Sequence, residues 1–322
     1  MTGTSTRTGR FRPRMRSFGV VRLAALCGLI WSAVVPAARA ESHTVAEQQD
    51  TVRQRAEMFV RALTKNPGFS AEESLVRWNA PICLFVAGLP DEDSKTMMAR
   101  LTQIVSSAGA PLAHAPCQPN FSVVATSEPG RVLEAWYSRD KQLFGDASDS
   151  QIRRFLDSAG SRPIQVWRNI DRGRKAGTRL GHFVPSNNNA ESSSFVRNAV
   201  LDFYSVFAII DTNLASHATL DQQAGYVALT ELSNIDPDAD IGGVPSILRL
   251  FAASATPPDG LSAWDEVFLK ALYHSDQTSR SQRRDIAEAV MNEISHDESG
   301  LNFNGVRPIP GRADHGQSGM DK

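Results

Sequence analysis

Histidines are the residues of this chain that point most directly to chemistry, because imidazole can bind zinc and can act as a general base near neutral pH. Six of them fall within or near the predicted fold, and no two are three or four residues apart: His43, His114, His182, His217, His274 and His296. Two metal ligands on one helical face need that spacing. The sequence therefore predicts no metal ligands and no cofactor, and a zinc ion would need ligands gathered from His182, His217 and His274.

Carboxylates give a second candidate site, in the loop over residues 236–242. Asp236, Asp238 and Asp240 alternate there with the spacing of oxygen ligands for calcium. The loop lacks the bidentate glutamate that an EF-hand requires, so a solvated turn is the favoured interpretation. The chain also has no G-x-S-x-G nucleophile motif and no glycine-rich phosphate loop after a strand. We therefore predict no catalytic residue.

The first forty residues have the composition of an export signal. Arginines from Arg7 to Arg22 precede an apolar stretch, Leu23 to Pro36, and Ala38-Arg39-Ala40 is an A-x-A cleavage site. The apolar stretch is too short to span a bilayer. We expect residues 1–40 to be a signal peptide and the mature protein to be periplasmic or secreted, without a membrane span. A retained N-terminal anchor is the alternative.

Export changes both the charge and the cysteine content of the chain. Without the seven arginines of the first forty residues, 27 basic and 35 acidic residues remain, a net charge of −8 that argues against general nucleic-acid binding. Two cysteines remain, Cys83 and Cys117, and in an oxidising compartment they are most simply a disulfide. A catalytic thiol is the alternative.

The elements that would position a site are organised around residues 203–232. Aromatic and β-branched residues predict a buried strand from Phe203 to Asp211. A polar loop follows, and Thr219 begins a helix whose apolar residues recur at helical spacing on one face: Leu220, Ala224, Val227, Ala228 and Leu232. Thr219 and Gln222 also have the spacing of a capping box.

The remaining pattern alternates strands and helices. Strands are predicted within 76–89, at 121–126 and at 164–167, with an edge strand at 196–201; helices are predicted at 41–65, 91–108, 129–137, 148–158, 262–274 and 281–295, with a helical turn at 245–251. The polar stretch from 171 to 194 is expected to be a long loop or a hairpin at the edge. The basic run 168–179 could bind an anionic surface or partner, and an exposed loop is the favoured interpretation. This order predicts an α+β fold, a mixed twisted sheet with helices packed mainly on one face.

We expect four segments. After the signal peptide come an N-terminal helix over 41–68, lying outside the main domain as an arm, and a single α+β domain over 69–298. A Gly-, Pro- and polar-rich tail, 299–322, is expected to be disordered.

The order of elements resembles the zincin-type metalloproteases, in which a twisted sheet leads into a central helix that carries H-E-x-x-H. A turn beneath the metal and a second helix follow there, and here residues 245–248 and 263–274 hold those places. The resemblance covers roughly residues 76–275 and implies a zincin-like architecture. It places Gln222 and Tyr226 at the positions of the metal histidines and Gln223 at that of the catalytic glutamate.

These substitutions decide what the resemblance implies. Neutral amides such as Gln222 and Gln223 are poor zinc ligands and poor bases. The expected protein is a pseudoenzyme, an exported binding module of the cell envelope with a candidate groove at Gln222, Gln223 and Tyr226. Its partner would be a peptide, docked as a strand at the sheet edge, or an envelope protein. A divergent hydrolase with a non-standard site and a purely structural envelope protein are the alternatives.

Overall fold

The sheet is built from four segments rich in β-branched and aromatic residues. The computed structural model describes residues 38–65, 74–175, 199–253 and 256–303, and within them the strands are β1 (Leu84–Ala87), β2 (Phe121–Thr126), β3 (Ile164–Lys175) and β4 (Ala199–Asp211). Their order across the sheet is β1-β2-β4-β3. The first three of these are parallel, and β3 runs antiparallel to β4 at one edge. The fold is α+β with a mixed, open sheet, as the sequence predicts.

Seven helices lie in the described ranges: α1 (Ala38–Thr64), α2 (Asp91–Ala108), α3 (Pro129–Arg139), α4 (Asp149–Asp157), α5 (Leu220–Leu232), α6 (Ala263–His274) and α7 (Gln282–Phe303). Two 3₁₀ turns, Lys141–Phe144 and Ile247–Phe251, follow α3 and α5. Capping boxes begin α4, α5 and α6, at Ser148, Thr219 and Ser262. Each box satisfies main-chain groups that a helix N-terminus leaves unpaired.

Both faces of the sheet are covered. Successive side chains of a strand point to opposite faces, so those of β4 enter two different cores. Val206, Ala208 and Ile210 of β4 belong to the large core, which α1, α2, α5, α6 and α7 also build. Phe207 and Ile209 belong to a second, smaller core with side chains of α3, α4 and the turn Lys141–Phe144. The helices do lie mainly on one face, but α3 and α4 add a layer on the other face that was not predicted.

The N-terminal helix is part of the large core and is not an arm outside it. Phe59 is fully buried, and its ring meets those of Trp264 and Phe268 edge to face, with centroids 5.6 and 6.1 Å apart. Val60 and Leu63 are also buried in this core. The prediction of a peripheral arm was wrong because periodicity shows which face of a helix is apolar and not what covers it.

Further boundaries differ from the predictions. β3 does not end at 167 but continues to Lys175, so the first part of the predicted loop belongs to the strand. The edge strand expected at 196–201 is not separate, since β4 runs without a break from Ala199 into the central strand. Helix α7 continues to Phe303, past the expected start of the tail at 299. The predicted signal peptide up to residue 37, the polar stretch 176–198 and the tail from 304 lie outside the described residues. No helix in the described ranges is both long enough and apolar enough to cross a membrane.

The predicted disulfide is confirmed. Cys83 immediately precedes β1 and Cys117 lies in the loop before β2, and their Cα atoms are 5.9 Å apart. The side chain of Asn120 reinforces the same junction, because its Oδ1 accepts a hydrogen bond of 2.7 Å from the main-chain N–H of Cys83. The disulfide therefore links the starts of two adjacent parallel strands.

Candidate functional site

Gln222 lies in the first turn of α5, and its amide is used by the helix cap. The main-chain N–H of Thr219 donates to Gln222 Oε1 at 3.0 Å, and the N–H of Gln222 donates to Thr219 Oγ1 at 3.2 Å. Gln222 Nε2 donates to the carbonyl of Pro258 at 2.9 Å. The predicted capping box is thus confirmed, and this side chain joins α5 to the segment that leads to α6.

Gln223 is occupied by the loop that precedes the helix. Its side chain is buried, and Nε2 donates to the carbonyls of Ala218 at 2.9 Å and Ala215 at 3.4 Å. An amide in this setting closes the end of a loop and offers no proton acceptor to a substrate.

Tyr226 is also buried, one helical turn beyond Gln222. Its ring meets that of Phe251 with centroids 5.3 Å apart, and Phe251 meets the ring of His217 at 5.8 Å. Burial raises the pKa of the Tyr226 hydroxyl to about 12, and the nearby guanidinium of Arg162 opposes this rise. The hydroxyl is therefore neutral at physiological pH.

The three predicted site residues do not line an open groove. Every residue of α5 from Gln222 to Leu232 is buried, so this helix has no solvent-exposed polar face beyond its first turn. Phe251 and Pro258 lie against the face that carries Gln222 and Tyr226. Sequence periodicity predicted one apolar face; the structure packs the helix on all sides, between the sheet, α2, α6 and the turn Ile247–Phe251.

The aspartate loop is organised by its own main chain. Asp236 Oδ1 accepts a hydrogen bond from the N–H of Asp238 at 3.0 Å, and Asp240 Oδ1 accepts one from that of Gly242 at 3.1 Å. Asp238 pairs with Arg162, whose Nη1 donates to Oδ1 at 2.9 Å. Across the part of the chain that the structure describes, no three His, Cys, Asp or Glu side chains are grouped to hold a metal ion. His182 falls outside that part.

Two charged residues near the end of α5 were not predicted from the sequence, the fully buried Glu231 and the partly buried Arg168. Glu231 lies at the end of α5 with no exposed surface, and Arg168 projects from β3 toward the same helix, where its Nε donates to the carbonyl of Thr230 at 2.8 Å. Burial raises the pKa of Glu231 well above its ordinary value and lowers that of Arg168 to about 10. The one available signal was Glu231 itself, an acid within the apolar pattern of the helix; Arg168 could be read only as the start of a basic loop.

The outer edge of β3, the last strand in the order of the sheet, lies near α5. The N–H of Asp211 donates to the carbonyl of Pro163 at 2.9 Å. Every second residue of an antiparallel strand forms such a hydrogen-bonded pair, so Gln165 and Trp167 also direct their main-chain groups at β4. The intervening residues Ile164, Val166 and Arg168 direct theirs away from the sheet. Within the described residues, these outward groups have no hydrogen-bonding partner.

No match was found for this chain among protein-family models, curated proteins or solved structures. The assignment of a function therefore depends on the geometry described above.

Proposed function

We propose that this chain is an exported, non-catalytic binding protein that takes up an extended peptide as an additional strand along β3. The observation that carries the proposal is the outer edge of β3, which has no pairing partner among the described residues and where the main-chain groups of Ile164, Val166 and Arg168 face outward. An extended peptide can pair with such a row, and main-chain hydrogen bonds then supply the affinity.

A degenerate zincin-like core is the second part of the proposal. β4 leads into the buried helix α5, and the 3₁₀ turn Ile247–Phe251 and helix α6 follow, which is the order that the resemblance implies. At the positions of the metal ligands and the base, the amides of Gln222 and Gln223 are held by main-chain groups of the protein. These contacts support a role for this helix in holding the fold and not in activating water.

Metal analysis is the first test of the non-catalytic part. The protein is purified from the periplasm without chelator or metal-affinity resin, and its zinc content and its hydrolysis of an unfolded protein substrate are measured. We expect less than a tenth of a zinc ion per chain and no hydrolysis. About one zinc per chain with hydrolysis that a chelator abolishes would support the alternative, a divergent peptidase.

Peptide binding tests the role of β3. Ligands are selected from a displayed library of random twelve-residue peptides, and their affinities are measured by fluorescence anisotropy. Val166→Pro removes one outward N–H without removing a bond to β4, and an edge strand tolerates proline at such a position. We expect at least tenfold weaker binding by Val166→Pro, whereas Val166→Thr, which keeps the N–H, binds like the wild type.

A second measurement shows whether the peptide binds along β3. Hydrogen exchange of the amides of Ile164, Val166 and Arg168 should slow when the peptide binds. Failure to select any ligand, or equal affinity of Val166→Pro and Val166→Thr, contradicts the proposal.

A further inference from the structure

Glu231, which is fully buried, and Arg168, which is partly buried, have hydrogen-bonding groups that are incompletely used. Both carboxyl oxygens of Glu231, and Nη2 of Arg168, are enclosed and make no hydrogen bond to the protein. The main-chain carbonyl of Glu231, in contrast, accepts from Trp78 Nε1 at 2.9 Å. The unsatisfied groups thus belong to the side chains, in an otherwise well-bonded part of the core.

The two side chains interact electrostatically without direct contact. Arg168 Nε is hydrogen-bonded to the carbonyl of Thr230, the residue before Glu231, and the positive charge of Arg168 opposes the rise in the pKa of Glu231 that burial causes. They are nevertheless not among the ion pairs of the described residues, all of which have N···O distances of 4.0 Å or less.

Water is the ligand that suits these unsatisfied groups. Buried polar groups in proteins are almost always hydrogen-bonded, and where no protein group reaches them an internal water does so. A water molecule can accept from Arg168 Nη2 and exchange hydrogen bonds with the Glu231 carboxyl group. That arrangement gives it the two or more polar partners that an internal water needs.

We propose that Glu231 and Arg168 together bind at least one long-lived internal water molecule that bridges the last turn of α5 to β3. The bridge uses the carboxyl oxygens and Nη2, while Arg168 Nε is already fixed to Thr230. This site is separate from the outer edge of β3, which is made of main-chain groups.

The test counts internal waters by oxygen-17 magnetic relaxation dispersion, which detects water molecules that exchange slowly with the solvent. The wild type is compared with Glu231→Gln, which keeps a polar side chain of the same shape, and with the double variant Arg168→Met/Glu231→Met, which removes both sets of polar groups. We expect equal counts for the wild type and Glu231→Gln, and at least one fewer for the double variant.

An unchanged count in a natively folded double variant would overturn the proposal. A crystal structure of the wild type at atomic resolution provides a second, independent measurement that does not require the double variant to fold. Electron density for water between Arg168 Nη2 and Glu231 supports the proposal. A direct contact between the two side chains with no water between them overturns it.

Discussion

Asp265 and Glu231 are both fully buried carboxyl groups, but their surroundings differ completely. Asp265, in the first turn of α6, accepts hydrogen bonds from Ser246 Oγ at 2.6 Å, from the N–H of Ile247 at 2.8 Å, and from the N–H and Oγ of Ser262 at 3.0 and 2.8 Å. Glu231 receives none. The first carboxylate holds the 3₁₀ turn to the start of α6, whereas the second is a cost to the folded state unless water reaches it.

Replacement of Asp265 by alanine should therefore be strongly destabilising. The substitution leaves buried donors of Ser246 and Ile247 unpaired, each at a cost of about 1–3 kcal/mol, and we expect the free energy of unfolding to fall by about 3 kcal/mol. Urea denaturation measures the change. Glu266→Ala is the matched control at the next, exposed position, with an expected change within about 0.5 kcal/mol. Equal effects of the two substitutions would contradict the role given to Asp265.

Glu231 should make the stability of the protein depend on pH. Its pKa in the folded state lies well above its ordinary value of 4.5, so the folded state binds a proton that the unfolded state releases. The contribution of Glu231 to stability consequently falls as the pH rises from about 4.5 toward the folded-state pKa. In Glu231→Gln this dependence is absent. Urea denaturation between pH 4 and pH 8 measures the free energy of unfolding of both proteins. The free energy of unfolding of the variant minus that of the wild type should grow with pH, and a constant difference would refute this account.

At the scale of elements, the turn after β1 fits closely against the neighbouring strand. Gly88 has a φ of +86°, and a Cβ at this position would lie 1.9 Å from the main-chain carbonyl oxygen of Ala125 in β2. Only glycine meets both requirements. The turn therefore fixes how α2 leaves the sheet, and main-chain atoms on both sides leave no flexible side chain to move aside.

Gly88→Ala should destabilise the protein far more than Gly242→Ala. Gly242 also has a positive φ, +61°, but a Cβ there would meet no atom within 4 Å. The second substitution then costs only the left-handed conformation of alanine, about 1 kcal/mol, whereas the first adds a clash with the main chain. Thermal unfolding followed by circular dichroism distinguishes the two, and similar melting temperatures would show that β1 and β2 can separate to admit the methyl group.

At the scale of the whole molecule, the disulfide is the covalent link between the starts of β1 and β2. It closes a loop with a sequence separation of 34 residues. On the chain-entropy account a loop of this length stabilises the folded state by about 4 kcal/mol. The large core also holds these strands, because Leu84 of β1 packs against it and Phe121 of β2 belongs to it, so the fold does not depend on the disulfide alone.

The double substitution Cys83→Ala/Cys117→Ala should lower the free energy of unfolding by about 4 kcal/mol without changing the secondary structure. Urea denaturation of the variant, and of the wild type with and without a reductant, measures the effect. The reduced wild type should match the variant. A variant as stable as the oxidised wild type would show that residual structure already restricts the loop in the unfolded state.

The sequence by itself determined the features that depend on local pattern. β2 was predicted with its exact bounds, α2 with its end at residue 108, and the capping box at Thr219 from the types of residues three apart. The cysteine pairing followed from there being two cysteines outside the predicted signal peptide. These features involve neighbours in the chain or a single available partner, so the pattern alone is sufficient.

Only the tertiary structure decided what covers each apolar surface. It placed Phe59 against Trp264 and Phe268, added a second helical layer on Phe207, and buried Gln222, Gln223 and Tyr226 beneath neighbouring segments. It also brought Arg168 near Glu231, 63 positions away in the sequence. Periodicity shows that a side chain is turned inward, but its partner depends on the packing of distant elements, which no local pattern encodes.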